Sequence, residues 1–99
     1  MDQETSSWGR ARDAGELGAL VRRMRRLRGW RQDELARRCD VARMTVSRLE
    51  RGGDVSGATM VRAFSELGLE LIVAPKHSRV RVTPPAPAAA EAGLRDVQA

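Results

Sequence analysis

The sequence has few of the residues from which catalytic and metal sites are built. Cys39 is the single cysteine and His77 the single histidine among 99 residues. An internal disulfide and a Cys-rich or Cys/His zinc cluster are therefore not expected. We interpret Cys39 as a small buried apolar residue and His77 as a solvated loop residue. The sequence contains no Ser-His-Asp set, metal cluster or glycine-rich phosphate loop, so it predicts neither an enzyme nor a cofactor.

Aromatic residues and long apolar runs are also scarce. Trp8, Trp30 and Phe64 are the only aromatic residues, which predicts an aliphatic core and argues against a stacking platform for single-stranded nucleic acid. No run of about 18 apolar residues is present, so we expect no membrane span. The acidic, polar start of the sequence is unlike a secretory signal, and we expect a cytoplasmic protein. A chain of this length has room for one domain.

Positive charge is concentrated in one part of the chain. Of the 18 basic residues 17 are arginine, and the formal net charge is +5. Residues 1–9 carry a net charge of −2, residues 10–51 carry +7, and residues 52–99 are neutral. Such an excess is typical of a phosphate-binding surface. A solvated arginine-rich helix is the alternative, and we favour it for the run from Arg22 to Arg26, although some of its members could reach phosphate.

Apolar spacing predicts four helices in the first two thirds of the chain. An Asp13–Glu16 capping box begins the first helix. Asp40 follows the second helix at a turn position that often needs a left-handed residue, which Asp tolerates less well than Gly. The predicted helices run over about Ala14–Arg28, Gln32–Cys39 (or Arg38), Arg43–Arg51 and Gly57–Leu67.

The pattern changes after Gly68. Leu69–Ala74 is typical of a strand, Arg79–Thr83 alternates and predicts a weaker one, and the composition from Pro84 onward is dominated by Pro and Ala. The predicted organisation has four parts. These are a flexible arm over 1–12, a helical domain with a C-terminal strand over 13–74, a possible second strand over 75–83, and a disordered Pro/Ala tail over 84–99.

Residues 32–51 have the dimensions of a helix-turn-helix. A short turn over 39–42 joins the two helices, and Val41 and Val46 can pack between them. In such a motif the outer face of the second helix enters the major groove of DNA, where an arginine can bind guanine O6 and N7. The spacing places four residues on that face, namely Arg43, Met44, Ser47 and Arg48.

Two stretches carry a family resemblance. Gly29–Ala36 (GWRQDELA) and Thr45–Gly52 (TVSRLERG) together resemble the Cro/C1-type, or XRE, helix-turn-helix family, over roughly Leu17 to Gly68. The resemblance implies a mainly α, lambda-repressor-like domain of four to five helices with a short C-terminal strand or hairpin. The Leu-Gly-Leu-Glu-Leu segment after the last helix is similar to that of HipB-type antitoxins, in which the strand pairs across a dimer.

The resemblance also implies roles for individual residues. The implied base contacts are Arg43, Met44, Ser47 and Arg48, and the implied backbone contacts are Arg31, Gln32, Thr45 and Arg51. Gln32 would also buttress a base contact, while Glu50 would form a structural ion pair with Arg25. The family usually has Ser or Thr at the positions of Arg31 and Ala42, so two helix caps are missing here. It usually has Gly at the position of Asp40.

These observations favour a sequence-specific repressor of double-stranded DNA that binds a palindromic operator as a homodimer. An unpaired strand would expose its backbone edges, so it should pair with Arg79–Thr83 as a hairpin, with the same strand of a second chain, or with both. The strand residues are Leu69, Glu70, Leu71, Ile72 and Val73. The resemblance implies a nucleoid-associated bacterial antitoxin that represses its own operon and neutralises a kinase-like, HipA-like toxin.

Two alternatives stay open at this point. The first is a stand-alone or phage-like repressor of the same fold, which a toxin-like gene beside this one would argue against. The second is an interaction module that binds no DNA and uses the basic first helix against an acidic protein or a membrane surface. The second alternative does not explain the pattern of the turn and the recognition helix.

Overall fold

Four helices form the domain in the computed structural model, which describes residues 8–85. Each helix bound lies within one residue of its predicted position, and the predicted mainly α fold is confirmed. The arm up to residue 7 and the tail from residue 86 lie outside the described residues. The helices are α1 Ala14–Leu27, α2 Gln32–Cys39, α3 Arg43–Glu50 and α4 Gly57–Glu66.

Two of the helix starts are capped by side chains and two are not. At the start of α1, the Asp13 carboxylate accepts a hydrogen bond from the Glu16 N–H at 2.8 Å. The Glu16 carboxylate returns to the N–H of Arg12 at 2.6 Å, so the predicted capping box closes one residue earlier than expected. Ser56 caps α4 through the N–H of Thr59. The caps of α2 and α3 make no side-chain bond, which leaves their first N–H groups open to other partners.

The turn between α2 and α3 is made by a residue in the left-handed region. Asp40 has φ 56° and ψ 46°, as the sequence predicts for this position. An L-residue with a Cβ is strained there relative to glycine, and Asp is among the few that adopt the conformation routinely. The turn is closed by the Val41 N–H, which donates to the carbonyl of Ala36 at 3.0 Å.

The core is aliphatic with a single aromatic side chain, as the composition predicts. Burying a Val or Leu side chain contributes about 1.5–3 kcal/mol, and the largest side chains that are fully buried belong to Leu35, Leu49, Val21 and Val46. Phe64 brings α4 onto this core. Cys39 is buried, and burial first and the nearby Glu66 second raise the pKa of its thiol. It is therefore a neutral, packed side chain, as predicted.

Glycines allow α1 to approach the end of α3 closely. A Cβ added at Gly18 would lie 2.3 Å from the carbonyl oxygen of Leu49, and one at Gly52 would lie 2.8 Å from the Cα of Gly15. These distances are far below van der Waals contact, so larger side chains would push the two helices apart. Apolar spacing along the chain did not reveal this contact, which sets the position of α1 beside α3.

The segment after Gly68 does not form a hairpin in the single chain. Residues 69–83 contain no strand. The Leu69 N–H donates to the Phe64 carbonyl at 2.8 Å at the end of α4, and the Ser78 N–H donates to the Pro75 carbonyl at 3.2 Å across a turn. An isolated two-stranded hairpin is marginal in water, and Pro75 removes a donor beside its turn. The side chains of Ile72 and Val73 are 76% and 96% exposed. Of the two predicted ways to pair this segment, the hairpin is thus absent from the single chain.

The end of the predicted N-terminal arm contacts the domain. The Trp8 carbonyl accepts a hydrogen bond from Arg23 at 2.9 Å, and Arg10 donates to the carbonyl of Ser78 at 2.8 Å. His77, beside this contact, is exposed and has φ 66°, which agrees with its predicted place in a solvated loop. None of the helices in the described residues has both the length and the apolar character needed to cross a bilayer.

Candidate nucleic-acid interface

The outer face of α3 is exposed, while its inner face is packed into the core. Val46 and Leu49 are each 2% exposed and hold the helix against α1 and α2. On the opposite side, three of the four predicted base-contacting residues are exposed and the fourth, Ser47, is half-buried. Met44 is 57% exposed, so its side chain is accessible on this face. The exposed members are Arg43, Met44 and Arg48.

Gln32 connects the start of α2 to the outer face of α3. This face, termed the recognition face, carries Arg43, Met44, Ser47 and Arg48. Its side-chain carbonyl accepts a hydrogen bond from Arg43 Nη1 at 3.1 Å, and its amide donates to Glu50 Oε1 at 3.1 Å. Because carboxylate oxygens only accept, the bond to Glu50 fixes which way the amide points. The Gln32 side chain that bonds Arg43 is therefore itself held in place by Glu50.

A buried ion pair lies behind Gln32. Arg25 and Glu50 are 7% and 8% exposed. Arg25 Nε and Nη2 lie 2.6 Å and 3.0 Å from the two carboxylate oxygens of Glu50. The remaining Arg25 Nη1 donates to the Trp30 carbonyl at 2.7 Å. Both charges are thus fully engaged, and a continuous chain of contacts runs from the core through Glu50 and Gln32 to Arg43.

Two further arginines hold the fold together around Trp30. The guanidinium carbons of Arg38 and Arg28 lie 4.1 Å and 5.2 Å from the centre of the Trp30 ring, within cation–π range. Arg28 also donates to the Leu67 carbonyl at 2.8 Å, at the end of α4. The sequence predicts Trp30 as a core residue. It is half-buried at the core's edge, and nothing in the helical pattern indicated its arginine partners.

The residues predicted to contact the DNA backbone lie in and around α3. Arg31 is exposed at the cap of α2, Arg51 is exposed at the cap of α3, and Thr45 is half-buried in the first turn of α3. Neither arginine has an ion pair in the part of the chain that the structure describes. Their guanidinium groups and the uncapped N–H groups at the start of α2 provide donors suited to phosphate oxygens.

Helix-turn-helix proteins insert an exposed helix of this kind, which follows a short turn, into the major groove of DNA. In this protein that helix has arginines on its outer face. This fold and this site define a DNA-binding regulator of the helix-turn-helix class.

Comparison with protein families agrees with this assignment. The family model HTH_3, described as Helix-turn-helix, matches residues 21–72, which is more than half of the chain. The chain therefore belongs to this helix-turn-helix family, of the XRE type, and the resemblance predicted from sequence is confirmed.

Comparison with solved structures shows the same fold in a known complex. One chain of the solved HipA-HipB-O2-O3 complex superposes with a TM-score of 0.63 at 21% sequence identity. The match covers 70% of this chain and 99% of that chain. At this identity the likeness shows a shared fold, as the sequence predicted for HipB-type proteins. A search of curated proteins finds no match.

Proposed function

We propose that the protein is a sequence-specific repressor that binds a palindromic operator as a homodimer. The observation that carries the proposal is the outer face of α3, where Arg43 is exposed and supported by Gln32 while the inner face is locked into the core. Base recognition depends on side chains that are held in the right geometry. A well-formed bidentate arginine–guanine contact discriminates against the wrong base by about 1–3 kcal/mol.

Four side chains of α3 would contact bases. Arg43 and Arg48 would each donate two hydrogen bonds to guanine O6 and N7 in the major groove. Met44 would pack against a thymine methyl group, for which its exposed thioether chain is suited. The Ser47 hydroxyl both donates and accepts, so it would tolerate several bases and specify weakly.

Contacts to the DNA backbone would fix the position of α3 in the groove. One amide hydrogen of Gln32 bonds Glu50, which leaves the second free to donate to a phosphate oxygen. Arg31, Thr45 and Arg51 would bind neighbouring phosphates. These contacts carry no sequence information themselves, and they supply the salt-dependent part of the affinity.

The C-terminal segment would pair with a second copy of the chain. Within the described part of the chain residues 70–73 make no backbone–backbone hydrogen bond, and Leu71, Ile72 and Val73 are exposed. An antiparallel pair of such segments would satisfy the backbone edges and cover these side chains. The strand would comprise Leu69, Glu70, Leu71, Ile72 and Val73. Two recognition helices about 34 Å apart would then match successive major grooves of a palindrome.

We also propose a protein partner for this chain. The chain shares its fold with a chain from a complex that contains HipA, and its apolar C-terminal segment is exposed. These facts support an antitoxin that represses its own operon and binds a HipA-like, kinase-like toxin. A stand-alone repressor is the alternative. Co-purification of this chain with the product of a neighbouring kinase-like gene would support the antitoxin, whereas the absence of such a complex would favour the stand-alone repressor.

Fluorescence anisotropy tests DNA binding directly. The operator duplex would carry the DNA upstream of the protein's own gene, and the control would be a scrambled duplex of equal length and composition. We expect saturable binding that is at least about 1,000-fold tighter for the operator duplex, with a steep salt dependence. Equal affinity for both duplexes would contradict base recognition. No binding to either at low salt would favour a protein-interaction module that uses the basic α1.

A further inference from the structure

A cleft of about 340 Å³ opens between α1 and α3, next to the recognition face. Arg22 and Arg26 of α1 line one side, and Ser47 and Arg51 of α3 line the other. The Arg25–Glu50 pair forms part of the lining. Gly18 and Gly52 let α1 lie against the end of α3 at this cleft. Residues that are far apart in sequence thus face one space.

The cleft carries positive charge that the protein does not neutralise. Glu50 is its only carboxylate, and both oxygens of Glu50 are already bound by Arg25. Arg22, Arg26 and Arg51 are exposed, and none of them has an ion pair among residues 8–85. Three like charges around one cleft attract an anion. Guanidinium groups match phosphate oxygens in geometry as well as in charge.

The position of the cleft favours DNA as the source of that anion. Ser47 belongs both to the cleft and to the face of α3 proposed to contact bases, so a duplex seated on α3 would bring its backbone past α1. We propose that Arg22 and Arg26 bind phosphates of the operator beside the bases read by α3. This proposal rests on the proposed function and extends the DNA-binding surface from the helix-turn-helix onto α1.

The test compares two charge-matched double variants. In Arg22→Gln/Arg26→Gln the cleft loses two charges, and in the control Arg62→Gln/Lys76→Gln two charges are lost elsewhere on the surface. Each protein is titrated with the operator and scrambled duplexes across a salt series. Circular dichroism and sedimentation check that fold and oligomeric state are unchanged.

We expect the slope of log affinity against log salt to become shallower by about 1.8 per bound protomer in the cleft variant, at about 0.9 per phosphate contact. The slope should stay the same in the control. The ratio of affinities for the operator and scrambled duplexes should be preserved, because phosphate contacts do not read sequence.

Two results would overturn the proposal, and they are distinguishable. If the wild type discriminates between the duplexes but the cleft variant keeps its slope, the cleft does not bind DNA and the proposed function stands. That result would favour an acidic protein as the ligand of the cleft. If the wild type binds neither duplex, the repressor function and the cleft proposal both fail.

Discussion

Two groups of arginines in this protein have different surroundings. The anchored arginines, Arg25, Arg28 and Arg38, contact a buried carboxylate, a helix end or the Trp30 ring. The interface arginines are exposed and have no carboxylate partner among the described residues. They are Arg22, Arg26, Arg43, Arg48 and Arg51.

The comparison shows that a run of positive charge is not a functional unit. Arg25 and Arg26 are adjacent in sequence, yet Arg25 is 7% exposed and bound to Glu50 while Arg26 lines an open cleft. The rotation of about 100° between successive helical residues separates them. Removing an anchored arginine should therefore change folding, and removing an interface arginine should change DNA binding.

The largest expected effect is on stability, when an anchored arginine is removed. Arg25→Ala would leave the buried Glu50 carboxylate without its counter-charge, so we expect a loss of about 3–5 kcal/mol in the free energy of unfolding. Arg22→Ala on the same helix should change it by no more than about 0.5 kcal/mol. Urea denaturation measures both. Similar values for the two variants would remove the distinction between the groups.

The next effect is on DNA affinity, when an interface arginine of α3 is removed. Arg43→Ala and Arg48→Ala should each weaken binding to the operator duplex by about 1–3 kcal/mol and relax the preference at one base pair. Their stability should change little. Arg62→Ala, on the exposed side of α4, serves as the control. Unchanged operator affinity in both α3 variants would show that the recognition face is misplaced.

The link between the two groups predicts a coupling energy. If Gln32 holds Arg43 in place, the double variant Gln32→Ala/Arg43→Ala should weaken operator binding by less than the sum of the single variants. The difference should be at least about 0.5 kcal/mol. Gln32→Ala alone should also weaken binding to the scrambled duplex, because it would remove a backbone contact. Strict additivity in the double-mutant cycle would mean that the Gln32–Arg43 bond has no role on DNA.

A change in the stabilising direction is expected at the uncapped start of α2. Arg31→Thr would supply the missing cap and should stabilise the fold by about 1 kcal/mol. If Arg31 binds phosphate, the same variant should lose a little affinity for operator and scrambled duplexes alike. Thermal unfolding and anisotropy on one preparation measure both. A more stable variant with full affinity would remove Arg31 from the DNA-binding surface.

Local features of this fold could be predicted from the sequence. The helix bounds follow from apolar spacing and turn residues, and the left-handed Asp40 follows from its place in the turn. Arg25 as the partner of Glu50 came from the family resemblance, since spacing alone does not say which arginine of a run is buried. The exposed face of α3 could be predicted from the helical spacing of its residues.

The features that the sequence did not predict depend on contacts between distant residues. The approach of Gly18 to Leu49 brings α1 to α3, and with it Arg22 and Arg26 to one cleft. The partner of the C-terminal segment is a second example, because an alternating pattern indicates a strand without saying what it pairs with. The hairpin, which the pattern allowed, is absent from the single chain.

We propose above that α3 reads DNA sequence through its arginines Arg43 and Arg48. The most direct measurement is the ratio of affinities for the operator and scrambled duplexes, in wild type and in Arg43→Ala/Arg48→Ala, at one salt concentration. We expect a wild-type ratio of at least about 1,000 that falls by at least about tenfold in the double variant, while the salt slope changes little. A ratio near one in the wild type, or an unchanged ratio in the variant, would contradict it.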